Sequence, residues 1–229
     1  MIDRILPATV RWSHSRTDRD DIELFPQERQ VVARSYARRR AEFTAVRACA
    51  RDALAALGEP AAPLLPGAGG APRWPLGVVG SMTHCVGYRA AAVASSADVA
   101  TLGIDAEPQR PLPEGVLERI AGPEELRAMA ALPTTDGLAW DRVLFSAKES
   151  VYKAWFPVAR TWLGFRDVTA ILAPDGTFAV RLHVRGPELS GRPLTSFEGS
   201  WAAGDGLVVT AVVVGRRDPA PPPRAPASV

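Results

Sequence analysis

"LGIDAEP", Leu102–Pro108, follows a run of apolar residues and sets two carboxylates two positions apart. Side chains on a strand alternate between faces. Leu102, Ile104 and Ala106 then share one face, while Thr101, Gly103, Asp105 and Glu107 share the other. Two like charges on one face repel unless something positive stands between them. One reading is a polar strand end facing solvent. The other is half of a metal site, because Mg²⁺ prefers carboxylate and water oxygens and takes further ligands from substrate phosphates.

Working outward, "VATLGIDAEP" reads as a strand stopped by Pro108, and "SSAD" before it as a hairpin turn. "VVGSMTHCVGYRAAAVA" carries a turn at Gly80 and Ser81, then strand or helix-plus-strand to Ala94. Upstream, one helix is expected from about Gln27 to Leu57. Val31, Tyr36, Phe43, Val46 and Leu54 form its loose apolar face, and Gly58 and Pro60 stop it. "GEPAAPLLPGAGGAPRWP" is a loop. Downstream, "PQRPLPEGV" is a connector. Helices follow at about Pro123–Ala131, with Pro in the first turn, and about Trp140–Phe156. "RDVTAILAPDGTFAVRLHV", turning at "PDG", and "GSWAAGDGLVVTAVVV" form an antiparallel sheet. "RRDPAPPPRAPASV" at the end has no core pattern, and residues 217–229 are expected to be a disordered Pro-rich tail.

These elements predict an α+β protein of two lobes. Hydrophobic residues are 47% and charged residues 23%, so a packed core is expected and a disordered chain is excluded. A net charge of +2 is too small to mark a nucleic-acid protein by itself. Cys49 and Cys85 make no CxxC pair, which excludes a zinc knuckle and a disulfide framework. The opening residues show no signal-peptide pattern, and no apolar run is long enough to span a membrane, so a cytoplasmic location is expected.

Three further stretches carry chemistry. In "FSAKESVYKAW", residues 145–155, Glu149 and Lys153 stand at i, i+4, and so do Lys148 and Tyr152. This is either an exposed helix with a surface ion pair, or a third carboxylate for the metal beside two lysines for phosphate oxygens. In "GSMTHC", residues 80–85, Ser81, Thr83 and the backbone face an anion, with His84 as a donor, or His84 is a structural histidine. A His84–Cys85 dyad is discounted, because neighbours on an extended chain point apart. "RSYARRRAEFTAVRACAR", Arg34–Arg51, gathers cations that suit phosphate.

Taken in order, "GSMTHC", "GIDAE" and "FSAKESVYKAW" resemble the Sfp-type 4′-phosphopantetheinyl transferases. "RRAEFTAVRACARDAL" and "WPLGVVGS" resemble the subgroup found with siderophore, polyketide and non-ribosomal peptide synthesis. The resemblance runs from about Phe25 to about Arg166. It implies a pseudo-twofold two-lobed fold, each lobe an antiparallel sheet packed with helices, with lobes at 1–107 (adenosine end of coenzyme A) and 108–216, and the site at their junction. It implies transfer of the phosphopantetheine arm of coenzyme A to a serine of apo acyl and peptidyl carrier protein domains, releasing adenosine 3′,5′-bisphosphate.

By the same resemblance Asp105, Glu107 and Glu149 hold Mg²⁺, and water or phosphate completes the shell, because Ala106 offers no side-chain ligand. Arg39 and Arg47 hold the 3′-phosphate with Ser81 and His84 nearby, and Lys148 and Lys153 face the pyrophosphate. Glu149 and Lys153 are the expected catalytic residues, Glu149 as the base for the serine. Relatives often carry basic residues where this chain has Gly69 and Gly70; Arg73 is the substitute expected for the lost adenosine-end contact. Carrier docking is expected between Leu112 and Leu132. No nucleic-acid or membrane partner is expected, and the chain is expected to be a monomer. The alternatives are a Mg²⁺-dependent nucleotide or phosphate-ester hydrolase and a nucleic-acid binder built on the arginine-rich helix.

Overall fold

The computed structural model describes residues 1–19, 22–134, 137–189 and 191–216. The expected tail at 217–229 lies outside the described residues. In chain order the elements are β1 (Arg11–Ser15), α1 (Pro26–Val32), α2 (Ala37–Leu57), β2 (Val78–Cys85), β3 (Tyr88–Ser95) and β4 (Val99–Pro108). Then come α3 (Leu117–Ile120), α4 (Pro123–Ala130), α5 (Trp140–Ala159), β5 (Val168–Leu172), β6 (Thr177–Leu182), the short β7 (Glu188–Leu189) and β8 (Arg192–Pro193), β9 (Ser196–Gly204) and β10 (Leu207–Gly215).

The fold is α+β, and its sheets are antiparallel, as expected. One sheet has the order β1-β3-β2 and carries α2, a second has the order β4-β10-β9-β6-β5 and carries α5, and β7 and β8 pair as a short third. The alternation read in Leu102–Pro108 holds. Leu102, Ile104 and Ala106 bury with Ile2, Val10, Val209 and Ala211. The opposite face meets α5: the Thr101 hydroxyl donates to the Ala154 carbonyl at 2.6 Å. At Gly103 a Cβ would stand 2.0 Å from the Ser150 carbonyl oxygen, so only glycine lets the helix backbone lie this close to the strand.

Several local expectations are corrected. The single helix from Gln27 to Leu57 is two, α1 and α2, with Tyr36 extended at the start of α2. Val31 and Tyr36, assigned to a common apolar face, are exposed, so no one stripe ran through both. α2 does stop at Gly58, which takes a left-handed φ of 89°. Gly80 and Ser81 make no turn; they lie inside β2, paired with Val93 and Ala92. Gly80 is there for space, since the Trp74 ring sits 2.6 Å from where its Cβ would be. The turn is at Val86 and Gly87, before β3. Ser95–Asp98 does reverse the chain, but it joins strands of different sheets, because β4 hydrogen-bonds to β10. β4 is tied to β2 by side chains instead: the Ile104 N–H donates to the Ser81 hydroxyl and the Ala106 N–H to the Thr83 hydroxyl, both at 3.1 Å.

Candidate active site

Asp105 projects from β4 toward α5 and is buried. Its Oδ1 accepts from Lys153 Nζ at 2.7 Å and from the Thr83 hydroxyl at 3.2 Å, and its Oδ2 accepts from the Ser146 hydroxyl at 2.8 Å. Ser146 and Lys153 are three residues before and four after Glu149, on the same side of the helix. Two α5 partners of Asp105 thus flank Glu149. Burial raises the Glu149 pKa above its ordinary value, and the charge of Asp105 adds to this, while Lys153 opposes it. Two residues along β4, Glu107 is likewise raised by burial and then by Asp105. Arg142, two turns before Glu149, donates to Glu107 at 3.0 Å and also holds the carbonyls of Arg110 and Pro111.

Among the described residues no three histidine, cysteine or carboxylate side chains stand together as a ready metal group. Lys153 instead supplies positive charge to Asp105. The donor set nevertheless fits a hard divalent cation. It is all oxygen, and two of its three acids are pushed toward the neutral form by burial and then by the charge of the third, a repulsion that a cation would relieve. Burial, then Glu107 and Asp105, push the Cys85 thiol up to about 12, which favours its protonated form.

Glu149 and Lys153 open onto a cavity of about 860 Å³, walled by Gly69, Trp74, Ser81 and Phe156 among others. Gly69, at φ 60°, rests on Phe156, whose ring lies 2.3 Å from the place of a Cβ. Any side chain there would displace the aromatic wall, whereas Gly70 has open space around it. Arg73, expected at the adenosine end, also lines the cavity. A larger open groove of about 1340 Å³ lies over β5, β6 and β9, and none of the expected site residues lines it.

Arg39, His84 and Arg47 lie outside the walls of the smaller cavity, along α2 and the end of β2. Arg39 and His84 meet: the guanidinium stands 3.0 Å from His84 Nε2. Burial, then the charge of Arg39, lowers the His84 pKa, which favours a neutral ring that accepts this bond. Glu42 accepts from Arg38 at 2.9 Å and lies 3.7 Å from the same imidazole. Arg47, two turns beyond Arg39, is buried over the Phe43 ring, 3.4 Å from its centroid. It donates to the Leu64 carbonyl at 3.3 Å, and burial pulls its pKa down to about 10.

One expectation for the site is corrected. Lys148, expected to face the pyrophosphate, does not line the cavity onto which Glu149 and Lys153 open. Its buried ammonium donates to the Ile120 carbonyl at 2.6 Å and the Phe165 carbonyl at 2.8 Å, and pairs with Glu125 at 2.7 Å, which uses its three N–H groups. Glu125 in turn accepts from the Ala170 and Gly122 N–H groups, so Lys148 ties α5 to α4 and to β5. Sequence reasoning missed Arg142 and Ser146. Their signal was present, since 142, 146, 149 and 153 follow the i, i+4, i+7, i+11 spacing of one helix face.

Comparison with known proteins identifies the family. Residues 27–94 match the 4′-phosphopantetheinyl transferase N-terminal domain, and residues 101–205 match the 4′-phosphopantetheinyl transferase superfamily. The chain is 53% identical over 219 residues to the 4′-phosphopantetheinyl transferase Svp of Streptomyces mobaraensis, covering 93% of this chain and 89% of that one. It is 46% identical over 225 residues to PptT of Mycobacterium tuberculosis (93% and 98% covered) and 45% over 222 residues to Npt of Nocardia iowensis (93% and 99%). Both carry the same transferase name, and the hydrolase alternative has no support among the three.

Proposed function

The chain belongs to the 4′-phosphopantetheinyl transferase superfamily, and from that premise we propose how its own residues divide the reaction. The enzyme transfers the 4′-phosphopantetheine arm of coenzyme A to a carrier protein. A carrier serine oxygen forms the new bond to the phosphorus that bears the pantetheine arm. The pyrophosphate P–O bond breaks, and adenosine 3′,5′-bisphosphate leaves. The observation that carries the assignment is the grip of Ser146 and Lys153 on Asp105, with Glu149 between them on the same helix face.

Glu149 takes the serine proton; its raised pKa suits a base better than that of an exposed glutamate. Lys153 moves its charge between Asp105 and the pyrophosphate oxygens. Asp105, Glu107 and Glu149 are the residues that would hold Mg²⁺, which when bound neutralises charge on the phosphates. Ser81 lines the donor cavity with Arg73, and Arg39, Arg47 and His84 hold the 3′-phosphate. The acceptors are apo acyl and peptidyl carrier domains of siderophore, polyketide and non-ribosomal peptide synthesis. They dock between Leu112 and Leu132, where Leu126 of α4 is exposed. The enzyme acts as a cytoplasmic monomer; among the described residues no helix is long and apolar enough to cross a membrane. The proposed lobes, 1–107 and 108–216, share β4, which closes the first segment but hydrogen-bonds to β10 of the second.

The test is to mix the protein with coenzyme A, Mg²⁺ and an apo carrier, and to weigh the carrier. A phosphopantetheine mass gained with Mg²⁺ and lost on chelation is expected. No gain on any acyl or peptidyl carrier tried refutes the acceptor assignment, and gain that survives complete chelation refutes the Mg²⁺ site.

A further inference from the structure

Glu28 in α1 belongs to none of the motifs above, yet it is 0% exposed. Oε1 accepts the Leu64 N–H at 2.9 Å. Oε2 accepts the Phe25 N–H at 3.0 Å and a bond from the Arg51 guanidinium. Leu64 is held from its other side as well, since its carbonyl accepts from Arg47. One residue, through its N–H and its carbonyl, thus links the buried carboxylate to the buried guanidinium. Arg47 and Arg51 are one turn apart on α2 and both face Glu28, whose charge opposes the effect of burial on Arg47.

This cluster is not neutral. One carboxylate faces two guanidiniums, and the Nε of Arg47 is buried without a hydrogen-bond partner. A buried cation short of partners is costly, and an anion completes it best. We propose that Glu28 is a positioning residue for coenzyme A: through Leu64 and through its charge it fixes the Arg47 guanidinium to receive the 3′-phosphate of the donor. The proposal rests on the assignment of Arg47 to that phosphate.

The experiment compares coenzyme A with 3′-dephospho-coenzyme A, which lacks the group in question. Glu28→Gln keeps an oxygen for an N–H but removes the charge. It is expected to raise KM for coenzyme A about tenfold, because a misaimed contact costs that much or more, with kcat nearly unchanged and KM for the dephospho donor unmoved. Glu28→Asp keeps the charge but retracts it, and is expected to give a smaller rise confined to coenzyme A. It serves if the glutamine variant does not fold. Arg47→Met is expected to raise KM for coenzyme A alone, and adding Glu28→Gln to it is expected to change nothing more.

If Glu28 variants affect both donors equally, or neither, Glu28 only staples α1 to the fold and the proposal falls. If Arg47→Met itself affects both donors equally, the 3′-phosphate assignment fails first and takes the proposal with it.

Discussion

Helix α2, 21 residues, lies over β1 and β3, and helix α5, 20 residues, lies over β4 and β10. Both come close to their sheets through small residues. Ala50 and Ala53 of α2 pack with Ala91 of β3, while α5 rests its backbone on Gly103. The charges differ. α2 carries Arg38, Arg39, Arg40, Arg47 and Arg51, and its sheet lends His84. α5 brings Ser146, Glu149 and Lys153 to acids on its strand. Two helix-on-sheet units therefore differ in charge, and under the proposed function the cationic one would hold a phosphate and the carboxylate one would move a proton. Variants on α2 should act mainly on donor KM, and variants on α5 on kcat or on the fold.

The largest effect is expected at Glu149. Glu149→Gln should lower kcat by about 10²–10⁴-fold, the range of a general base, with donor affinity nearly kept and the circular dichroism spectrum unchanged. Unchanged turnover would remove Glu149 from the site. Next comes Lys148→Met, which leaves Glu125 buried without its ammonium. A loss of about 3–5 kcal/mol is expected, read as a fall in urea midpoint. A stable variant that merely lost donor affinity would restore the expected phosphate contact. Gly103→Ala should cost about 1–3 kcal/mol by overpacking and slow turnover with it; a variant with wild-type kcat would show that the strand–helix contact does not set the site.

The smallest effect belongs to the α2 half. Burial and Arg39 hold the His84 pKa below its usual value, although Glu42 pulls it up. The unfolded chain therefore takes up this proton first as pH falls. The wild type should lose stability relative to His84→Gln as pH drops below about 6.5, and the difference should be independent of pH above it. Urea midpoints on both sides of that value check this, and a wild type that gains stability relative to the variant as pH falls would reverse the sign and refute it.

Much of this contrast was legible in the chain. Alternation alone put Thr101, Gly103, Asp105 and Glu107 on one face, and helical spacing put Glu149 beside Lys153. What covers that face was not legible, because α5 lies about forty residues further on. Gly80 misled because glycine marks both turns and close approaches, and only the Trp74 ring tells which. Lys148 misled because helical spacing shows which residues share a row but not which row faces the core. Its partner Glu125 sits in another helix, and no local pattern joins them. Glu28 was silent for the same reason: its partners are at residues 25, 51 and 64.

The contact at Gly103 acts as a gauge. Main chain rests on main chain there, so the gap between the carboxylates of β4 and Glu149 is set before any rotamer is chosen. Interiors this tightly packed yield little. Exchanges among the surrounding side chains can retune charge and affinity while the gap stays constant, which gives the site wide chemical latitude at one fixed dimension.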